Sequence, residues 1–455
     1  MKMAERSRGA AGAPSKKAVK KSVRVGLLGL GTVGAGVAEI LKKHQSMIDQ
    51  RVGMEIDVVR ALVRSKKKKR SGVARGVEQT TKPSDIVGAP DIDVVVELMG
   101  GIEPARTMVL DSLMAGQSVV TANKALVALH GTELFRAAKK SGADIHFEAA
   151  VAGGIPIIRT LREALASDRI TRVMGILNGT TNYILGQMAK GNSYEDALGK
   201  AQELGYAEAD PTLDVNGRDA ADKIAILSRL AFGTSFKAGA IEVQGIERLT
   251  PAVLADAKSL GYRVKLIAQS WLAKHGDQEV VHAGVFPCFV PIGHELSAVP
   301  GAQNAILVQS DSLGTTLYQG PGAGGLPTGS AVTADIMEAA RNIRAGVRRQ
   351  LTPASVTRAP KLKNLGQCSS RFYARWLVRD EPGVLAAISK VLANNGISLA
   401  TVLQSGGGES DSPVGIVFTT HETTNAQMNK AMNQIKRLRS LKGGGNVLRI
   451  LGNKE

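Results

Sequence analysis

Cysteine is nearly missing from this chain. Cys288 and Cys368 lie far apart, outside any CxxC or Cys/His cluster, which excludes a disulfide framework and a structural zinc site and suits a reducing compartment. Long apolar runs are missing too: nothing approaches the roughly eighteen residues of a membrane-spanning helix, and the N-terminus has no secretory h-region. Aromatic residues make up only 4% of the chain. A cytoplasmic protein with no membrane partner is therefore expected, and 455 residues, 44% of them hydrophobic and 22% charged, suit about three globular domains.

Acid is scarce relative to base, giving a net charge of +18, but the excess is local. Residues 1–24 hold eight Lys/Arg against one Glu and residues 60–75 hold eight against no acid, so two short stretches supply fifteen of the eighteen charges. A nucleic-acid binder spreads cations over a folded face and interleaves aromatics. Neither pattern holds, so no nucleic-acid partner is expected. Residues 1–22 are small, polar and basic and read as a disordered tail. Their Arg, Ser and Ala content also suits an organelle transit peptide, against which the lysine excess counts.

Folded sequence begins with VRVGLLGLGTVGAGVAEIL, residues 23–41, a buried strand, a Gly-rich turn and a helix. Gly29, Gly31 and Gly34 form GxGxxG in that context, for a tight turn, a close approach to a pyrophosphate and close helix–strand packing. Thr32 and Val33 then stand at the helix start, which faces the anion. The next strand, EIDVVRALVR, ends at Arg64, where an NAD-specific domain carries an acid. Arg64 with Lys66 to Lys69, Lys67 among them, suits a 2′-phosphate, which favours NADPH and leaves NADH open. DIDVVVELMGGIEPA, residues 91–105, reads as a buried strand broken at Gly100-Gly101, where the chain would pass under the nicotinamide. QSVVTANKALVA, residues 117–128, is another strand with Asn123-Lys124 at its carboxyl end, the end at which open parallel sheets bind ligands.

The densest charge lies in AEADPTLDVNGRDAADKIAIL, residues 207–227, where Glu208, Asp210, Asp214, Asp219 and Lys223 precede the apolar run Ile224 to Leu227. Asn216-Gly217 supplies a turn into a helix, and Asp219 and Lys223 fall at i, i+4 on one face of it. Alone, these residues fit a surface ion pair and a proton-donating site equally. NGTTNYIL, residues 178–185, reads as a polar turn before a helix, with Thr180 or Thr181 as its cap. From residue 371 the order strand, helix, strand, strand, helix, strand reads as a ferredoxin-like module.

These motifs, in this order and over nearly the whole chain from residue 23, resemble those of homoserine dehydrogenases with a C-terminal ACT domain. The resemblance is carried by GLGTVG (29–34), ELMGGIEPA (97–105), TANKAL (121–126), FEAAVAGGIPII (147–158), GILNGTTNYIL (175–185), the charged segment 207–227 and GPGAGGLPTGSAV (320–332). It implies an α/β architecture: a Rossmann-type nucleotide-binding domain over 23–150, rejoined by 320–350, and an α+β catalytic and dimerisation domain over 151–319. A linker over 351–370 and an ACT domain over 371–455 would follow. The implied reaction is the reversible reduction of aspartate 4-semialdehyde to homoserine with NADPH or NADH, by a homodimer or homotetramer. With no kinase domain ahead of residue 23, a monofunctional enzyme is expected.

The resemblance also implies roles. Lys124 and Lys223 match the catalytic lysines, one of which moves the proton, while Asp219 orients Lys223 and the reacting oxygen. Glu208 would take the substrate α-ammonium with Asp214 behind it, and Asn178, Gly179 and Thr180 would face the substrate. Gly324 would lie near the nicotinamide. Glu148 and the carbonyls of Val151, Gly153 and Ile155 would hold a monovalent cation, usually sodium. Gly329 stands where many relatives have alanine. The chemistry agrees: hydride addition to an aldehyde leaves an alkoxide that an ammonium can stabilise and protonate. The reverse reaction asks for a lysine of lowered pKa, which two neighbouring lysines would supply. The DEPGVL turn, residues 380–385, resembles ACT domains, which implies feedback by threonine or a module that only holds a dimer. Two other readings fit less well. A semialdehyde dehydrogenase needs a cysteine nucleophile, and neither Cys288 in an apolar strand nor Cys368 in the linker suits. A sensor with an inactive dehydrogenase fold would not need Lys124, Glu208, Asp219 and Lys223.

Overall fold

The structure is a computed structural model that describes residues 22–67, 72–347, 359–405 and 413–452. The expected basic tail up to residue 21, Lys68, Lys69 and the first part of the expected linker lie outside the described residues. Among the described residues no helix is long and apolar enough to cross a membrane.

The protein is a mixed α/β chain built on two sheets. The first is parallel, with β1 (Ser22–Leu28), β2 (Glu55–Leu62), β3 (Glu78–Thr80), β4 (Val94–Glu97), β5 (Ser118–Thr121) and β6 (Ile145–His146) in the order β3-β2-β1-β4-β5-β6. Val23, Val25 and Leu27 alternate with partly or fully buried neighbours because helices cover both faces, as a parallel sheet requires. Strand order reverses between β1 and β4, and the crevice beyond their carboxyl ends is where such a sheet receives a dinucleotide. Helix α1 (Thr32–Lys43) follows β1, and α2 (Lys124–Ser141) follows β5.

The second sheet is largely antiparallel. β7 (Ile170–Ile176), β8 (Tyr262–His275), β9 (Gln278–Pro291), β10 (Gln303–Ser310) and β11 (Gly314–Pro321) carry α3 (Gly179–Met188) and α4 (Arg218–Phe232) on one face. Strand alternation divides β8 cleanly: Val264, Leu266 and Ala268 join the cluster holding Ile224 and Leu227 of α4, whereas Ile267 joins Phe286 and Cys288 on the other face. The short helix α5 (Pro251–Ser259) precedes β8. Helix α6 (Gly325–Ala345) then returns to the first sheet, where Ala331, Val332, Ile336, Ala339 and Ala340 share a core with Val23 and Val25. Its start lies against α1, since a Cβ on Gly36 would fall 2.4 Å from the Gly325 carbonyl.

The C-terminal module runs β12 (Ser369–Val378), α7 (Val384–Asn394), β13 (Leu399–Ser405), β14 (Val414–Thr420), α8 (Asn425–Ile435) and β15 (Leu441–Ile450), the ferredoxin-like order. It does not hang on a free linker. Lys361–Leu362 forms a short strand paired with Val280 and Val281, and Cys288 and Phe289 of β9 pair with Arg449 and Ile450 of β15, so the strands of the C-terminal module continue the second sheet. The half of the linker that the structure describes is therefore a structural seam, which a polar composition did not reveal. Asp256 of α5 clamps this seam: its Oδ2 accepts from Tyr373 Oη and Arg375 Nη1, both at 2.6 Å. The Tyr373 ring stacks on Phe289 at 4.2 Å. Asp256 and Arg375 are each 16% exposed, so removing one partner strands the other charge in a poorly hydrated seam. Asp256→Ala is expected to cost about 3 kcal/mol in urea denaturation; an unchanged midpoint would show that the clamp is idle.

Candidate active site

The carboxyl edge of the parallel sheet is shaped for a dinucleotide. Gly29 has a φ of 111° and a Cβ there would lie 3.0 Å from the Leu98 carbonyl, while one on Gly34 would lie 2.6 Å from the Gly29 carbonyl. Beside Gly31 there is open space, with no atom within 4 Å of where a Cβ would stand. The residues that need glycine for packing are thus distinct from the one that leaves room for a ligand. Thr32 and Val33 open α1, whose cap residue contributes no side-chain hydrogen bond, so its first N–H groups remain for an anion.

β2 stops at Leu62, two residues before the expected end at Arg64, and the Val63 amide makes the last bond to its neighbour, the Thr80 carbonyl at the end of β3. Arg64 and Lys67 are exposed on the loop beyond, next to Gly29, whose amide donates to Leu62 O at 3.1 Å. No acid stands in this loop among the described residues.

Between the Gly100-Gly101 turn and the start of α2 lies a residue that sequence reasoning passed over. Glu97 is fully buried at the end of β4. One carboxylate oxygen accepts from the amides of Met99 and Gly100, at 2.8 and 3.1 Å, and the other accepts from Thr121 Oγ1 at 2.6 Å. Thr121 in turn receives the Asn123 amide, and Asn123 caps α2 at Leu126 N and donates to Gly101 O at 2.6 Å. Glu97 therefore fixes the Gly100-Gly101 turn and the start of α2, whose first residue is Lys124.

Lys124 meets Lys223 through Asp219. Lys223, in the second turn of α4 and only 8% exposed, donates to Asp219 Oδ2 and to the Leu177 carbonyl, both at 2.7 Å. Lys124 Nζ lies 2.5 Å from the other oxygen, Oδ1, as an ion pair without hydrogen-bond alignment. Asp219 also sits in the first turn of α4, where the helix dipole favours an anion. Burial opposes its charge, but Lys223 and Lys124 outweigh burial and hold the carboxyl far below its ordinary range. The same contact works on Lys124: burial alone would lower its pKa, yet Asp219, with Asp214 and Asp222 behind it, raises it above the ordinary 10.5. The expectation that two adjacent lysines depress each other is thus overturned for Lys124, because a carboxylate lies between them. Asp214 and Asp222 are pushed up by burial and by the Asp219 charge.

Asn178 ties this cluster to α3. Its Nδ2 donates to Asp214 Oδ1 at 2.8 Å and to Asp219 Oδ2 at 2.9 Å, while its Oδ1 accepts from Thr181 N and Thr181 Oγ1. It, and not Thr180 or Thr181, is the cap of α3. All four bonding positions of the amide are occupied, so Asn178 sets the acids rather than offering itself to a ligand. Gly179 is partly exposed next to it, and Thr180 is buried with its hydroxyl donating to Tyr206 O at 2.6 Å. Glu208 is exposed on the loop after Tyr206, and its carboxylate carries no hydrogen bond or ion pair to another described residue. Gly324 caps the start of α6, the helix end that lies on α1.

The loop 148–155 is a third feature. Both oxygens of the buried Glu148 accept backbone amides, from Ile158 at 2.7 Å and Arg159 at 2.9 Å. The Ile155 carbonyl accepts from Ile157 N at 2.8 Å, whereas those of Val151 and Gly153 receive no hydrogen bond from another described residue. Among the described residues no group of three or more His, Cys, Asp or Glu could hold a metal, so any cation here would rely on carbonyls.

Comparison with known proteins agrees with this layout. Residues 156–337 match the family model "Homoserine dehydrogenase", residues 29–148 "Homoserine dehydrogenase, NAD binding domain", and residues 376–440 "ACT domain". A homoserine dehydrogenase of Bacillus subtilis is 41% identical over 95% of this chain and 99% of its own. One of Mycobacterium tuberculosis H37Rv is 42% identical over 95% and 98%. Among solved structures, a homoserine dehydrogenase of Thiobacillus denitrificans superposes with a TM-score of 0.88 at 42% identity, covering 95% of this chain and 98% of its own. A hyperthermophilic archaeal homoserine dehydrogenase in complex with NADPH gives a TM-score of 0.58 at 30% identity, over 70% and 97%.

The buried network around Glu97 makes a direct prediction. Glu97→Gln keeps the shape but loses one of the acceptors that the Met99 and Gly100 amides or the Thr121 hydroxyl require. A fall in kcat/KM of at least about 10-fold with unchanged circular dichroism is expected, and wild-type kinetics would remove Glu97 from the site.

Proposed function

The chain belongs to the homoserine dehydrogenase family, and on that premise we propose how its residues share the interconversion of aspartate 4-semialdehyde and homoserine. The observation that carries the proposal is the Asp219 carboxylate, one oxygen on each catalytic lysine. A bound nicotinamide supplies or accepts the hydride. Lys223, spent on Asp219 and Leu177 O, is the fixed charge that polarises the carbonyl region. Lys124, whose side chain is 42% exposed and which has Asp219 as its ion-pair partner, faces the cleft and gives its proton to the nascent alkoxide. Glu208, exposed and uncommitted, receives the substrate ammonium together with Asp214, and the amide end of α3 at Gly179 and Thr180 receives the carboxylate.

Arg64 and Lys67 would grip a 2′-phosphate, so NADPH is preferred to NADH. The open carbonyls of Val151 and Gly153 suit a hard monovalent cation, sodium, with Glu148 shaping the loop through its two amide bonds. The enzyme works as a homo-oligomer, and the ACT domain conveys inhibition by threonine; the continuous sheet between β9 and β15 supports such coupling.

Two measurements test these assignments. Because Asp219 raises the pKa of Lys124, Lys124 stays protonated below that value. Semialdehyde reduction is then flat through neutral pH, while homoserine oxidation, which needs the neutral amine, climbs steadily into the alkaline range. In Asp219→Asn the opposing anion is gone, burial dominates, and the oxidation profile moves to lower pH with kcat reduced about 100-fold or more. An unshifted profile would take Lys124 out of proton transfer. Arg64→Asp should raise KM for NADPH by about 10 to 100-fold and leave KM for NADH nearly unchanged; equal effects on both would discard the phosphate assignment.

A further inference from the structure

A cavity of about 520 Å³ opens where the linker and the C-terminal module meet the face of the second sheet turned away from α4. Its lining contains Arg172, Lys274, His275, His282, Lys363 and Arg449, and not one Asp or Glu. The remaining polar lining consists of amides, hydroxyls, the Trp271 indole and the Cys368 thiol, each with a hydrogen to donate. The two arginines are held in place before any ligand arrives. The Arg172 guanidinium lies over the Trp271 ring at 5.5 Å, and that of Arg449 lies over Phe286 at 3.5 Å. Arg449 also donates from Nε and Nη2 to Asn425 Oδ1, at 3.1 and 2.7 Å. Arg449 also forms an ion pair at 3.8 Å with Glu242, which stands outside the lining.

The charges of Arg172, Lys274, Lys363 and Arg449 gathered around one space repel one another, and an anion between them relieves that cost, while burial lowers the pKa of His282 and keeps it a neutral polar ring. Side chains already stacked and bonded lose little entropy on binding. A zwitterionic amino acid fits poorly, because its ammonium would find two arginines, two lysines and no carboxylate in the lining. We propose that this cavity binds a small multiply charged anion, of phosphate-ester or polycarboxylate type, at a site separate from the dinucleotide crevice and from the DEPGVL turn. The ligand would touch β7, β8 and β9, the linker and β15 at once, and so fasten the C-terminal module to the catalytic sheet.

Isothermal titration of the intact protein tests this, with NADP+ saturating so that the dinucleotide site is filled. Pyrophosphate and citrate serve as polyanionic probes and threonine as the zwitterion, all at constant ionic strength. At least one polyanion should bind saturably, once per chain. Its Kd should weaken at least about tenfold in Lys274→Ala/Lys363→Ala, whose side chains are exposed, and stay unchanged in Lys140→Ala, an exposed lysine away from both sites. The two polyanions together show whether phosphate or carboxylate is preferred. Absence of saturable binding by either probe would overturn the proposal, as would affinity that survives the double variant. A double variant that dissociates on sedimentation without any anion present would also overturn it, since the cavity would then be a contact between subunits.

Discussion

One buried carboxylate organises this protein. Asp219 is 4% exposed, and a charge so far from water persists only with partners. It has three, from three separate parts of the fold: Lys223 one turn along α4, Lys124 at the start of α2, and Asn178 at the start of α3. The first sheet delivers Lys124 at the end of β5, the second delivers Asn178 at the end of β7, and α4, entered through the Asn216-Gly217 turn, brings Lys223. Removing the charge would release the position of both ammonium groups and reverse the balance that keeps Lys124 protonated.

The parts of the site written in consecutive residues were legible. GxGxxG after a strand, and Asp219 four residues before Lys223, each encode their own geometry, one through glycine sterics and the other through helical periodicity. Lys124 meeting Asp219 was not legible from spacing, since only the packing of α2 beside α4 creates the contact; the family resemblance brought Lys124 to Lys223 but gave Asp219 to Lys223 alone. Glu97 was missed for a different reason. DIDVVVELMGG reads as a buried strand broken at Gly100-Gly101, and nothing local shows that the Met99 and Gly100 amides turn back onto the Glu97 carboxylate. Asn178 was read as substrate-facing and Thr180 or Thr181 as the cap, whereas the short Asn side chain bonds both to its own helix and to two acids. The direction of the Lys124 shift could not follow from counting lysines, because it depends on which side of the carboxylate each one lies.

The same logic extends to the domains. α6 leaves β11, crosses back and lies on α1, so the substrate side and the cofactor side share a core at the place where their chemistry must meet. At the other end, β9 is both a strand of the catalytic sheet and the partner of β15, and Asp256 closes that junction. A change in the C-terminal module therefore has a continuous sheet through which to act, which a flexible linker would not have offered.

If Asp219 binds the two lysines into one unit, their contributions cannot be independent. The most direct measurement is kcat for Lys124→Ala, Lys223→Ala and the double variant under identical conditions. A double variant scarcely slower than the worse single variant is the expected result, as for catalytic groups that act together. Losses that simply multiply would contradict a shared unit and leave two separate lysines beside a structural carboxylate.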